Sequence, residues 1–128
     1  MKVISWNVQG AKRSQVLLEL QFLKRTQKPN IVFLLETMVN EQNSLRILPR
    51  LGFEFYDFVI PNNHSGGLAV LWHNTNTPAS ILRKEQRAIH MLVHDLTIIR
   101  TQSSVAFMLQ HNHETKTSFG ISCLVYMR

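Results

Sequence analysis

Pro29-Asn30-Ile31-Val32-Phe33-Leu34-Leu35-Glu36-Thr37 is a continuous apolar run that opens at a proline and ends on a carboxylate. A run this short, without alternation, reads as a strand buried on both faces. Glu36 falls at its C-terminal end, where open α/β sheets place ligand-binding groups. The plain alternative is that Glu36 is the first solvated residue after a core strand.

The start of the chain, Met1-Lys2-Val3-Ile4-Ser5-Trp6-Asn7-Val8-Gln9-Gly10, reads as a second strand over 2–8. Ile4, Trp6 and Val8 share one face, Val3, Ser5 and Asn7 the other. This strand also ends on a polar side chain, Asn7, followed by a glycine turn. Between the two strands the spacing predicts a helix over 14–27, with Ser14 as N-cap and Val16, Leu17, Leu20 and Leu23 on one stripe. Lys24, Arg25 and Lys28 crowd its last turn, where cations suit the helix dipole, and Pro29 stops it. Strand, helix, strand with short joins is a crossover unit.

Downstream, Asn40 caps a second expected helix over 41–50, with Leu45, Leu48 and Leu51 inward; Pro49 blurs its end and Gly52 closes it. Aromatic and β-branched residues over 53–60 predict a strand. The Pro61–Gly67 segment is a turn by composition, and 67–73 is the return strand of a hairpin. Residues 80–84 and 88–94 are shorter strand candidates. After Asp95 apolar residues lose any clear period, and strands near 96–101, 104–109 and 119–126 carry the weakest signals.

Composition narrows the function classes. The 128 residues contain 45% hydrophobic and 17% charged side chains, which suits one folded domain and excludes disorder. The net charge of +6 and pI near 10.0 favour a polyanionic partner, nucleic acid first. Cutting after His64 gives eight Lys/Arg against five Asp/Glu before and six against three after, so each half carries +3 and there is no basic tail. A single cysteine, Cys123, excludes an internal disulfide framework and fits a reducing compartment. Ser5, Asn7 and Gln9 interrupt any leader-like run, and no stretch approaches the roughly 20 apolar residues of a membrane span. The expectation is a soluble intracellular protein with no membrane partner and no small-molecule cofactor.

Three stretches in order carry a resemblance: Ile4-Ser5-Trp6-Asn7-Val8-Gln9-Gly10, then Lys28-Pro29 through Glu36-Thr37, then Ser65-Gly66-Gly67-Leu68-Ala69-Val70-Leu71-Trp72. Together they resemble the endonuclease/exonuclease/phosphatase superfamily, and within it the N-terminal endonuclease domain of plant LINE-type (non-LTR) retrotransposon proteins. The resemblance covers residues 1–95 and leaves 96–128 as a divergent tail. It implies an α/β fold, a partial four-layer α/β sandwich of DNase I-like type that keeps the first sheet and its helices and lacks most of the second sheet. It also implies Mg²⁺-dependent phosphodiester cleavage, DNA as partner, and a nuclear location if the family role is retained. Carried across, Glu36 matches the metal-binding carboxylate and Asn7 the asparagine beside the metal and phosphate. Mg²⁺ takes oxygen ligands, commonly one or two carboxylates with waters and phosphate oxygens. Asparagine can orient a neighbouring ligand without adding charge.

The sequence departs from the pattern in ways that bear on activity. Gln9 stands where abasic-site endonucleases of the superfamily carry an aspartate. The later Gly-Asp-Phe-Asn and Ser-Asp-His segments, and the Tyr-Gly segment before them, occur nowhere in the 128 residues. Those segments supply the Asp that activates water and the His at the phosphate, so the expected state is a metal foothold without catalysis. The alternative class is a non-catalytic basic nucleic-acid-binding module, with Lys12 and Arg13 after the first strand as phosphate contacts. A solvated loop is the bland reading of that pair.

The remaining polar motifs read structurally. His111 and His113 in His111-Asn112-His113-Glu114 would lie about 7 Å apart on a strand, but no third ligand is identifiable and a solvated loop is the reading. His90 and His94 would be about 13 Å apart on a strand. His64 and His73 read as polar edge residues, Trp6 and Trp72 as core. Gly66-Gly67 is no phosphate loop, because no helix follows, and reads as a tight turn into a strand. A missing second sheet would leave the inner face of the 30–36 strand open, with aggregation as the consequence.

Overall fold

The computed structural model describes residues 2–62, 66–75 and 78–93 with their side chains, and the backbone of His94 and of strands 104–108 and 124–127. The elements run β1 (Val3–Asn7), α1 (Ser14–Gln27), β2 (Ile31–Leu35), α2 (Glu41–Ile47), a 3₁₀ turn (Leu48–Leu51), β3 (Phe55–Val59), β4 (Leu68–Trp72), β5 (Ala79–Glu85), β6 (Ala88–His94), β7 (Ser104–Met108) and β8 (Leu124–Met127). They form two sheets, ordered β1-β2-β4-β3 and β5-β6-β7-β8. β1 and β2 are parallel; the other pairs are antiparallel.

The double burial of β2 has two distinct causes, one on each face. Val32 and Leu34 join Val8, Ala69 and Leu71 in a core closed by Val16 and Leu20 of α1 and by Leu48 and Leu51. Ile31, Phe33 and Leu35 join Leu68, Val70 and Trp72 in a second core closed by Ile89, Met91 and Val93 of β6. Alternation along a strand sends successive side chains to opposite faces, so a strand between two layers must be apolar throughout. Each such fully buried side chain contributes roughly 1.5–3 kcal/mol. The layers are helices, first sheet and second sheet.

A second sheet accompanies the first, as a partial sandwich requires. Four described strands form it, and β6 covers the face expected to lie open. Its alternating Ile89, Met91 and Val93 are each 0% exposed, so the aggregation argument loses its premise for that face. The expected strand near 104–109 corresponds to β7 and the one near 119–126 overlaps β8, whereas 96–101 lies outside the described residues. Residues 104–108 and 124–127 were hard to read because no apolar period marks them in the sequence.

Local signals were mostly sufficient for the first half. Asn40 caps α2, its Oδ1 accepting from the Asn43 amide at 2.8 Å. Lys28 ends α1 in the left-handed conformation, its amide donating to the Lys24 carbonyl. Lys24 Nζ reaches the Gly52 carbonyl and stands 5.2 Å over the Phe53 ring, tying α1 to the start of β3. Two details differ. Arg13, not Ser14, is the N-cap of α1 and gives no side-chain cap, so Ser14 is simply the first helical residue. Leu45 is 51% exposed, because the inward stripe of α2 runs from Ser44, 3% exposed, to Leu48 and Leu51 and leaves Leu45 to one side.

Candidate functional site

Asn7 stands opposite Leu35 in the β1–β2 register, Leu35 opposite Leu68, and Leu68 opposite Val59. This row is one edge of the first sheet, and Glu36 is the next residue beyond it. Asn7 and Glu36 are therefore brought to the tips of two paired parallel strands, both half-buried. The sequence distance of 29 residues is closed by the crossover through α1.

The pairing continues past the strands through backbone bonds. The Val8 amide donates to the Leu35 carbonyl at 3.0 Å, Gly10 to Glu36 at 2.9 Å and Ala11 to Thr37 at 2.8 Å. Thr37 and Met38 in turn donate to the Gly67 and Gly66 carbonyls at 3.2 and 3.0 Å. Three non-glycine residues at this edge hold positive φ: Gln9 at 47°, Glu36 at 53° and Met38 at 54°. Each costs on the order of 1–2 kcal/mol, and such strain collects where surrounding structure over-determines the backbone.

The side chains are partly committed. Asn7 Oδ1 accepts from the Gln9 amide at 3.2 Å, which turns the chain after β1. An amide oxygen has two lone pairs, so one acceptor site of Asn7 is not used by this bond. Arg13 Nη2 donates to the Val8 carbonyl at 3.1 Å, so that guanidinium braces the loop after β1. Lys12 is exposed on the same loop. Among the described residues no group of three or more His, Cys, Asp or Glu side chains is placed to hold a metal. What the edge offers a cation is one carboxylate and one neutral oxygen. Such a donor set suits a hard ion that keeps several of its waters, as Mg²⁺ does.

The other candidates take structural places. Trp72 is 6% exposed, with its indole N–H on Asn74 Oδ1 at 3.1 Å; Trp6 packs half-buried on the helix-side core. His73 stacks on Phe53 at 4.8 Å and lies 3.5 Å from Glu54. His90 and His94 lie four residues apart on β6, and His90 Nε2 is 3.7 Å from Glu85 Oε2. His64, His111, His113 and Cys123 lie outside the described residues.

Sequence reasoning missed how the two sheets are joined at this edge. Lys84 of β5 pairs with Asp57 of β3 at 2.8 Å, and Gln86 donates to the Ile60 carbonyl at 3.2 Å. A groove of about 380 Å³ opens there, beside Phe58, Ile60 and Glu41. No spacing rule links a hairpin residue to a charge 27 positions later. The closeness of Gly66-Gly67 to the residues after Glu36 was missed for the same reason.

No family model matches the sequence, and no curated protein matches it. Solved structures do match. The AP endonuclease LMAP from Leishmania major superposes with TM-score 0.61 at 18% identity, over 85% of this chain and 39% of that one. The 3′ phosphatase NExo from Neisseria, solved bound to a product DNA hairpin, superposes with TM-score 0.50 at 20% identity, over 73% of this chain and 37% of that one. The fold is DNase I-like. The DNase I-like part present here spans less than two-fifths of either protein's length. No described helix is long and apolar enough to cross a membrane.

Proposed function

We propose that the chain is the N-terminal part of a Mg²⁺-dependent DNA endonuclease of plant LINE-type, non-LTR retrotransposon origin. As it stands, it holds the metal end of a phosphodiester-cleaving site without the groups that complete it. The observation that carries this reading is the register that sets Asn7 opposite Leu35, the residue before Glu36, in a DNase I-like fold. Residues 1–95 are the family-like part and 96–128 a divergent tail, and the location that goes with the role is the nucleus.

Glu36 would hold the ion through its carboxylate, and Asn7 would place its amide beside the ion and the phosphate. A bound Mg²⁺ supplies charge stabilisation at the scissile phosphate and the leaving oxygen. Glu36 directly follows a strand buried along its whole length, so its backbone anchor is rigid. Lys12 on the adjoining loop is the phosphate contact, and Arg13 supports that loop. No residue of this edge supplies the acid–base work. The segments that bring a water-activating Asp and a phosphate-binding His are not in the sequence, and each such partner is worth about 10²–10⁴-fold.

Incubation of supercoiled DNA with the purified chain and Mg²⁺ should show no nicking above a Glu36→Ala control. Mg²⁺-dependent nicking that disappears in Glu36→Ala would overturn the inactive reading. The net charge of +6, spread evenly over both halves, favours a second reading, a non-catalytic nucleic-acid-binding module. Binding to DNA that weakens steeply with salt supports the module, and no binding at low salt eliminates it.

A further inference from the structure

A turn into β4 requires nothing of residues 37 and 38, yet the two glycines of that turn are bonded to both. Gly67 accepts from the Thr37 amide and Gly66 from the Met38 amide, at 3.2 and 3.0 Å. From the other side, the Glu36 and Thr37 carbonyls accept from Gly10 and Ala11 at 2.9 and 2.8 Å. The peptides following Glu36 are thus held from both flanks, and Glu36 sits between them at φ 53°.

The two glycines are not equivalent. Their φ values are close, 86° and 91°. A Cβ on Gly66 would meet open space. A Cβ on Gly67 would run into Thr37 Oγ1 and stand 3.3 Å from the Met38 amide nitrogen and 3.4 Å from Pro61 Cδ. Backbone conformation favours glycine at both positions, whereas packing against the segment after Glu36 requires it only at Gly67. Thr37 is itself 3% exposed and has little room to withdraw.

We propose that Gly67 is a positioning residue for Glu36. Its missing Cβ lets the start of β4 close on Thr37 and Met38, which holds Glu36 in the left-handed conformation and fixes the direction in which its carboxylate leaves the sheet edge toward a divalent cation. This rests on the cation reading of Asn7 and Glu36 above. Groups that orient a metal ligand without touching the metal are typically worth about 10–100-fold in metal affinity.

The test is Mn²⁺ affinity, read by water-proton relaxation, together with amide hydrogen exchange on the full chain. Gly67→Ala should weaken Mn²⁺ binding by about 10–100-fold and remove protection at the Thr37 and Met38 amides, with Val8 still protected. Gly66→Ala bears the same backbone cost without the collision and keeps its carbonyl on the Met38 amide, so Mn²⁺ affinity should stay within about threefold of the unmodified chain, roughly the 0.5 kcal/mol of a substitution that meets no neighbour. Should Gly67→Ala fail to fold, the Thr37→Ala/Gly67→Ala double variant removes the nearest obstacle and should bind close to the level of Thr37→Ala alone. Gly67→Ala binding as tightly as the unmodified chain overturns the positioning role and leaves the cation reading intact. A double variant that folds but stays as weak as a folded Gly67→Ala also overturns it. An unmodified chain whose Mn²⁺ binding is indifferent to Glu36→Ala overturns the cation reading, and the positioning role with it.

Discussion

The Val8 amide donates to the Leu35 carbonyl at 3.0 Å, one step beyond the last residue of β1. That bond carries the parallel register past the strand ends, so the chain leaves β1 and β2 in step rather than splaying. It keeps the backbone of Asn7 and of Glu36 at one edge of the sheet. The three further bonds from Gly10, Ala11 and Thr37 extend the same order into the loops, at the cost of left-handed conformations at Gln9, Glu36 and Met38. The backbone positions of Asn7 and Glu36 are therefore set almost wholly by main-chain bonds.

Met91→Ala should destabilise the fold by about 2–5 kcal/mol, the usual cost of truncating a long buried side chain. Met91 is 0% exposed and packs in the core that Phe33, Val70 and Trp72 share with β6. Domains of this size have about 5–15 kcal/mol in all, so the urea midpoint should fall sharply. A change under about 0.5 kcal/mol, ordinary for a surface position, would mean that β6 does not cover the first sheet in solution.

Met38→Gly should raise stability by about 0.5–1 kcal/mol. Met38 is 48% exposed at φ 54°, so little packing is lost. Relief of a left-handed non-glycine residue gives about 1–2 kcal/mol, offset by about 0.5–1 kcal/mol of glycine entropy. Thermal unfolding reads the difference, and a lower midpoint would show that the Met38 side chain contributes packing that its exposure conceals.

Asn40→Ala should cost about 1 kcal/mol, because the Asn43 amide loses its side-chain cap at the start of a seven-residue helix. Asn40→Asp should be nearly neutral, since aspartate accepts the same bond. Chemical denaturation of the three proteins separates loss of the cap from loss of the asparagine as such.

How much of this was legible in the sequence depends on the range of the interaction that decides each feature. The strand of residues 31–35 and its two-sided burial were readable because five apolar residues in succession admit few other places. The Asn40 cap was readable because its bond spans three residues. Leu45 was misplaced because the inward position of that turn is held by a polar residue, Ser44, which an apolar stripe does not pick out. Asn7 and Glu36 were picked out by their type at strand ends and by resemblance. Their shared edge then followed from one crossover. The Gly67–Thr37 contact and the Lys84–Asp57 pair join segments about 30 residues apart without any period to announce them. Residues 104–108 and 124–127 became strands of the second sheet with no alternation clear enough to forecast the extent of that sheet.

Lys12 and Arg13 should separate cleanly when DNA binding and stability are measured together. Arg13 Nη2 donates to the Val8 carbonyl at 3.1 Å in a part-buried setting, and hydrogen bonds from charged groups are worth about 1.5–3 kcal/mol. Exposure of the rest of that side chain places Arg13→Ala toward the low end, so its main effect is a lower unfolding midpoint. Lys12 is exposed, and Lys12→Ala should leave the midpoint unchanged within about 0.5 kcal/mol. If Lys12 neutralises a phosphate, its removal lowers the magnitude of the slope of log K against log salt by about 0.9 on duplex DNA. The loss should be the same on unrelated sequences, because a phosphate contact carries no base information. An unchanged slope and affinity for Lys12→Ala would remove it from the interface, and the basic footprint would then have to be sought elsewhere on the surface.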